Sequence, residues 1–189
     1  MNSFVKRLSN TAELNQIKDY ISKILIDRPW PDGSKKDLSI QNQIGLNHRQ
    51  NCSNPWLDAA GGYRDNQSYK KESDFNVWND KIPINFVNLI KSVTKENKVN
   101  YGRVRIMRLM PKTGLSYHFD TEKRIHLAIT TNPGCFIFSK SDEGSEFQTQ
   151  GYHIPADGNF YMVDTTMPHF VYNAGRTERV HLVINCLGS

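Results

Sequence analysis

A chain of 189 residues, 38% of them hydrophobic, is sized for one compact domain that buries roughly two-thirds of its unfolded surface. No stretch approaches the ~18 apolar residues of a membrane span, and the first residues mix Lys6 and Arg7 with polar neighbours in place of a secretory leader, so a soluble cytoplasmic protein is expected. The formal net charge of +5 comes from scattered basic residues, which describes a solvated surface and speaks against a nucleic-acid patch.

In chain order, Asn10 followed by Glu13 reads as a capping box, and Leu14, Ile17, Ile21, Ile24 and Leu25 recur at helical spacing, predicting an amphipathic helix over 11–26. RPWPDGSKK (28–36) breaks it. The Asn-rich stretch up to about Lys71 shows no period, and such long loops in a small domain tend to be functional or disordered. A second helix is predicted from Pro83, with Ile84, Val87, Ile90 and Val93 along its apolar face. From Tyr101 onward, short β-type runs (YGRVRIMRLM, CFIFS, FQTQGYHI, NFYMV, HFVYN, RVHLVINC) alternate with turn signals (KTG, TNPG, SDEGSE, PADG, NAG). About eight strands at near-even spacing predict a mainly β fold of the jelly-roll, cupin-like kind, a double-stranded β-helix barrel flanked by N-terminal helices. Residues 1–189 are expected to form one domain, with 1–99 a helical and loop part bracing a catalytic core over 100–189.

The segment YHFDTEKRIHLAI (117–129) sets polar chemistry inside strand-like sequence. Side chains alternate across a strand, so His118 and Asp120 share a side, as do Arg124, His126, Ala128 and Thr130, while Ile125, Leu127 and Ile129 take the other. Near the C-terminus, Arg179, His181, Val183 and Asn185 oppose Val180, Leu182, Ile184 and Cys186. A half-exposed sheet with its polar row toward water would show the same alternation. The polar residues here, however, are His, Asp and Arg. His118 and Asp120 can bind one metal from adjacent same-face positions, and His169, after the turn TTMP, is the candidate third ligand. Two imidazoles and a carboxylate form the facial triad of non-haem iron(II), whereas a closed zinc site would want a fourth ligand. Arg179 follows His169 by ten residues, on a strand expected to return beside the one carrying His169. A guanidinium inside a barrel is costly unless paired, and its planar fork suits a carboxylate.

HFD (118–120), RIH (124–126) and the run Asp164, His169, Asn173, Arg179 resemble the aspartyl/asparaginyl β-hydroxylase family of Fe(II)- and 2-oxoglutarate-dependent dioxygenases, bacterial proline-hydroxylase-like members included, over roughly residues 100–187. The resemblance implies that His118, Asp120 and His169 hold Fe(II) and that Arg179 grips the distal carboxylate of 2-oxoglutarate. It further implies that Arg124 and His126 assist cosubstrate binding, and that O2 is consumed in hydroxylating an Asp, Asn or Pro residue of a peptide or protein, or a free amino acid. The animal aspartyl hydroxylases lack the acidic ligand where Asp120 stands, so the chain resembles the bacterial type with a full triad.

Three rival readings stay open. A cupin without 2-oxoglutarate chemistry also ends its second motif in H-x-x-x-N, as His169 and Asn173 do. An AlkB-type nucleic-acid demethylase is suggested by HFDTE, but its arginine pair, with five residues between, is missing, since Leu182 follows Arg176 at that interval and Asn185 follows Arg179. A catalytically silent binding module would keep the barrel without needing the ligand set. His181 and His153 are read as structural or surface groups, and Trp30, Trp56 and Trp78 as packing anchors. NPWLDAAGGYRD (54–65) has the composition of a loop that closes over substrate. Arg103 and Arg105 share a face; either could bind substrate or cosubstrate, and a rim salt bridge is the reading preferred. Cys52, Cys135 and Cys186, odd in number and widely spaced, fit neither a disulfide framework nor a thiolate zinc site.

Overall fold

Alternation in the C-terminal half folds as its period dictates. The computed structural model describes residues 3–30, 42–61, 71–141 and 148–188. Eight strands follow one another there: β5 (Asn100–Leu109), β6 (Thr113–His118), β7 (Arg124–Thr130), β8 (Cys135–Ser141), β9 (Gln148–Tyr152), β10 (Asn159–Val163), β11 (His169–Asn173) and β12 (Arg179–Leu187). Earlier come β1 (Val5–Thr11), β2 (Gln43–Gly45), β3 (Asn47–His48) and β4 (Val77–Trp78). A six-stranded sheet has the order β1-β10-β7-β12-β5-β2, a four-stranded sheet the order β6-β11-β8-β9, and β3-β4 forms a small pair, all antiparallel. Strands β5, β7, β10 and β12 thus lie in one sheet and β6, β8, β9 and β11 in the other, the double-stranded β-helix order of a jelly roll.

Two helices cover the outer face of the six-stranded sheet. Helix α1 (Leu14–Asp27) buries Ile17, Ile21 and Ile24 at three- and four-residue spacing and stops at Arg28, whose φ of −135° suits the residue before Pro29. A four-residue turn of helix, α2 (Pro55–Asp58), is capped by Asn54, whose side chain accepts from the Trp56 N–H, and a 3-10 turn spans Glu72–Asp74. Helix α3 (Ile84–Glu96) begins after Pro83, as the sequence predicts, but buries Phe86, Val87, Ile90 and Val93, while Ile84 is 67% exposed. Ile84 lies about 120° around the helix from the centre of that buried face, whereas Phe86 in the same turn points into it. The main hydrophobic cluster joins these helical residues to Val104, Ile106, Ile125, Leu127, Ile129, Phe160, Leu182 and Ile184, each fully buried side chain adding roughly 1.5–3 kcal/mol. Trp30, Trp56 and Trp78 pack at its edge. A smaller cluster, including Leu109, Ala128, Ile137, Val163 and Val171, lies between the two sheets.

Several expectations are corrected. Asn10 and Glu13 form no capping box: the α1 N-cap is Glu13 without a side-chain cap bond, and Asn10 lies in β1, where its Nδ2 donates to Glu96 Oε2 (2.6 Å) and its Oδ1 accepts from Asn97. The polar composition of VKRLSNT hides a sheet-edge strand that pairs with β10. In the irregular stretch, Ile44 and Leu46 are fully buried and β2 extends the large sheet beside β5. Strand β12 pairs with β5 and β7 and not with β11, so Arg179 and His169 belong to opposite sheets. Likewise β6 and β7 are not a pair but lie in different sheets, joined through residues 119–123. The expectations for residues 31–36, for Tyr63–Asp65 and for the turn at 142–146 fall outside the described residues. No described helix is long and apolar enough to cross a membrane.

Candidate active site

The polar rows turn inward. Register places Arg105 opposite Val183, and Val183 opposite His126, so these side chains share one face of the six-stranded sheet. That face looks at the four-stranded sheet, and on it Arg103, Arg105, His126, Arg179, His181 and Asn185 are all buried. The reading of these rows as a wetted surface is excluded, because the wetted side of an ordinary half-exposed sheet is here the barrel interior.

Across the gap, His169 at the start of β11 pairs in register with His118 at the end of β6, their ring centroids 4.4 Å apart. The turn from β6 to β7 is fastened to the turn after β10: the Asp120 N–H donates to Thr165 O (2.8 Å) and Thr165 Oγ1 donates to Glu122 O (2.6 Å). This brings Asp120 beside the histidines, and donor atoms of His118, Asp120 and His169 all lie within 4.8 Å of one another. Each imidazole is oriented from behind. His118 Nδ1 lies 2.6 Å from Ser116 O and His169 Nδ1 lies 2.9 Å from Met167 O, contacts that make Nδ1 the protonated nitrogen and leave Nε2 with its lone pair. Asp120 Oδ1 accepts from Arg124 Nη2 (2.6 Å), whereas its Oδ2 is buried, accepts no hydrogen bond and sits 3.7 Å from His169 Nε2. Burial holds the His169 pKa below the usual histidine range, with His118 pushing the same way, so the ring is neutral at pH 7. An orphaned carboxylate oxygen beside two basic imidazole nitrogens is a donor set that a divalent cation fits.

At the other end of the interior, Arg179 opposes Leu109 on β5. Its Nη2 donates to His181 Nδ1 (2.9 Å), and His181 Nδ1 is 3.4 Å from His126 Nδ1. Burial lowers the Arg179 pKa to about 10, still charged at neutral pH. Burial, followed by the charge of Arg179, drives the His126 and His181 pKa values well down, so both rings are neutral. Their Nε2 atoms are buried and have no partner. Arg179 also lines a cavity of about 360 Å³ with Gln43, Met107, Leu109, Met110 and Leu115.

Arg124, expected beside the cosubstrate, is bonded to Asp120. The rim salt bridge expected of Arg103 or Arg105 is instead internal: Arg103 Nε donates to Glu72 Oε1 (2.8 Å) with both side chains buried, while Arg105 donates to the amide oxygens of Gln43 and Asn185 and has no carboxylate partner among the described residues. Glu72 and Gln43 are site-region residues that sequence reasoning missed, since neither lies in a periodic segment. Asn173, read only as part of a motif, is fully buried and fastens the far turns, donating to Leu109 O, Met110 O and Thr177 O and accepting from Asn132 and Gly175. His181 is a buried structural partner of Arg179, and His153 Nδ1 lies 2.9 Å from Cys135 O, as the structural reading of both expected. All three cysteines are free.

Strand order and the two-sheet interior define a double-stranded β-helix jelly roll of the cupin-like kind. Within that class, residues 69–188 match the aspartyl/asparaginyl beta-hydroxylase family, and the chain belongs to it. It is thus of the hydroxylase type, and the match begins well upstream of the barrel, taking in Glu72. AviO1 from Streptomyces viridochromogenes Tue57 is similar in structure at 11% identity and TM-score 0.57, over 96% of this chain and 88% of that one, a likeness of fold alone. A 2OG-Fe(II) oxygenase family oxidoreductase from Burkholderia pseudomallei aligns at 16% identity and TM-score 0.39, over 57% of this chain and 51% of its own. A cupin domain from Bordetella pertussis aligns at 21% identity and TM-score 0.34, over 46% of this chain and 82% of that one. Comparison with curated proteins gives no match.

Proposed function

We propose that the chain, working as one unit over residues 1–189, is an Fe(II)- and 2-oxoglutarate-dependent dioxygenase that hydroxylates an unactivated C–H bond of an amino-acid residue in a peptide or protein, or of a free amino acid. The carrying observation is the convergence of His118, Asp120 and His169 within 4.8 Å, in a barrel whose far end holds the buried cation of Arg179. In this reading the three side chains hold Fe(II), which with 2-oxoglutarate and O2 supplies C–H hydroxylation with release of succinate and CO2. The backbone carbonyls of Ser116 and Met167 fix which imidazole nitrogens face the ion, and Arg124, bonded to Asp120 Oδ1, keeps that carboxylate aimed. Arg179 provides a fork for the distal carboxylate of the cosubstrate. His181 accepts from Arg179 through Nδ1, so its own N–H sits on Nε2, directed away from the guanidinium. His126, neutral and adjacent, offers a second ring nitrogen to the same space. Leu109, Met110 and Leu115 along the cavity exclude water.

The test is succinate release from 2-oxoglutarate by the wild-type chain with iron and ascorbate. Asp120→Ala is expected to weaken Mn(II) binding, read by calorimetry, by at least tenfold and to abolish succinate release. Arg179→Lys is expected to raise the KM for 2-oxoglutarate strongly although the charge is kept. Turnover by Asp120→Ala at the wild-type rate would refute the ligand assignment. A gain of 16 Da across a panel of peptides and amino acids identifies the substrate.

A further inference from the structure

Strands β8 and β11 carry large apolar side chains on both faces. Ile137, Val171 and Asn173 point inward and are buried, and the two strands pair in register. Phe136, Phe138, Phe170 and Tyr172 alternate with them and so point away from the barrel, although the outer side of such a sheet is ordinarily polar. A strand apolar on both sides reads as one covered on both sides. Helices α1 and α3 cover the outer face of the other sheet, and none of these four rings, nor Tyr117 or Phe119, belongs to either hydrophobic cluster.

The rings make one continuous surface. Phe138 stacks on Phe170 with centroids 4.6 Å apart, Phe136 lies 5.8 Å from Phe138, and Tyr172 pairs in register with Phe136. On the edge strands β6 and β9, glycines let the neighbouring rings lie flat on the sheet. A Cβ on Gly114 would fall 2.8 Å from Tyr172 Cδ2, and one on Gly151 would fall 2.9 Å from Phe138 Cε1. Strand β6 adds Tyr117, where its register to β11 slips beside Phe170, and Phe119 follows at the strand end. Alternation against the inward His118 turns both outward, and they are 54% and 71% exposed. Single surface aromatics are ordinary, but a contiguous patch of several hundred Å² marks an interaction site.

Size and charge select the occupant. Tyr117, Phe119 and Tyr172, the last 41% exposed, leave roughly 330 Å² uncovered at ~200 Å² per side chain. The half-buried Phe136, Phe138 and Phe170 raise this to about 450 Å². Homodimer interfaces are about 65% apolar, so such a patch is the apolar part of roughly 700 Å² per partner, within the roughly 600–1,000 Å² per side of a stable complex. With a net charge of +5, two copies repel each other unless they meet on an uncharged face. Strands β6, β9 and β11 contain no Lys, Arg, Asp or Glu, and β8 has only Lys140 near its end. A nucleic acid or an anionic membrane would call for a row of cations there. A flat, twisted sheet face is matched by another of the same shape, packed at about 10 Å, and a second copy presents one.

We propose that the outer face of the four-stranded sheet is a two-fold interface with a second copy of this chain, packed sheet against sheet. This goes beyond the oxygenase reading and does not depend on it. Its consequence for the site is that β6 and β11, which carry His118 and His169, are backed by the partner on their outer side. Phe119, set in sequence between His118 and Asp120, is then covered only in the pair.

The experiment is sedimentation equilibrium of the full chain from about 1 to about 200 µM, without metal or 2-oxoglutarate. A particle of twice the 21.8 kDa chain mass is expected, with a Kd of about 10 µM or tighter, as an interface of this size allows. Tyr172→Lys sets like charges on both sides of the interface and is expected to raise the Kd at least roughly 30-fold. Tyr117→Lys, at a more exposed position, is expected to act the same way should Tyr172→Lys disturb the fold. Ile84→Lys, 67% exposed on helix α3 at the opposite side of the molecule, is expected to leave the Kd unchanged. A wild-type chain that stays monomeric throughout overturns the proposal, whatever else the face then takes. So does a dimer undiminished in every folded lysine variant of this face, one that Ile84→Lys weakens as much, or open-ended association without a discrete dimer. If neither tyrosine variant folds, hydroxyl-radical footprinting of the wild type decides: Tyr117 and Tyr172 are expected to lose reactivity as the dimer forms, and unchanged reactivity overturns the proposal.

Discussion

Glu72→Ala is expected to destabilise the protein by about 3–5 kcal/mol, a magnitude that follows from what the carboxylate touches. Glu72 accepts from Arg103 Nε, from the Arg103 N–H and from Asn185 Nδ2, each at 2.8 Å, and the paired side chains are 3% and 5% exposed. An exposed pair would contribute at most about 1 kcal/mol. Here removal of one partner takes away the carboxylate that faces the buried Arg103 guanidinium, and the loss of that charge pairing dominates. Gly102 approaches so closely that a Cβ there would lie 2.5 Å from Glu72 Oε2, which leaves little room for water to enter and solvate Arg103. Because the penalty belongs to the lost charge pairing, Glu72→Ala combined with Arg103→Met is expected to recover more than half of the loss, even though Gly61 O then loses its donor. Urea unfolding at pH 7 measures both, and a melting scan should show a fall of roughly 6–20 °C for the single variant at this chain length. A single-variant loss under about 1 kcal/mol, or a double variant no more stable than the single, refutes the reasoning.

Asn173→Asp, which replaces a donor to three carbonyl oxygens by an anionic oxygen, is expected to lower the melting temperature by more than about 5 °C, read by calorimetry. Gly114→Ala places a Cβ 2.6 Å from Val171 O and so presses β6 away from β11; it is expected to cost about 1–3 kcal/mol and to weaken Mn(II) binding, because His118 and His169 face each other across that strand pair. His126 and His181 are held neutral in the folded state, so the unfolded chain binds more protons below its ordinary histidine pKa of about 6.5. Their contribution is therefore fully present above about pH 6.5 and is lost as pH falls, by up to about 1.4 kcal/mol per pH unit for each ring. Urea midpoints between pH 7.5 and 5 check this, with a flatter profile expected for His181→Gln.

The barrel and its candidate ligands were legible because period-two alternation and chemistry coincide there: Ile125, Leu127 and Ile129 mark one face, and His126 between them marks the other. Which face was interior was not legible, since alternation is the same whether the polar side meets water or a second sheet. The partner of Arg179 was misjudged for a related reason. A short connection suggests a hairpin between β11 and β12, but in a jelly roll that connection crosses from one sheet to the other. Asn10 failed as a cap because an Asn before a helix looks the same when a strand edge uses it to hold Glu96 and Asn97. Glu72 and Gln43 left no local signal, because their roles are set by residues 31 and 62 positions further on.

The division of the six-stranded sheet into two faces also explains why a barrel so full of charge needs its helices. Ordinary jelly rolls draw much of their stability from apolar side chains between the sheets, but here the small inner cluster shares that space with three histidines and several arginines. The lost burial is made up on the reverse side, where α1 and α3 cover Val104, Ile106, Ile125, Leu127, Leu182 and Ile184. Stability and chemistry therefore sit on residues of opposite parity along the same strands. A one-residue slip of β7 against β12 would exchange them, setting His126 against the helices and Ile125 or Leu127 among the arginines, so the two opposed faces fix the register far more firmly than a uniformly apolar barrel would.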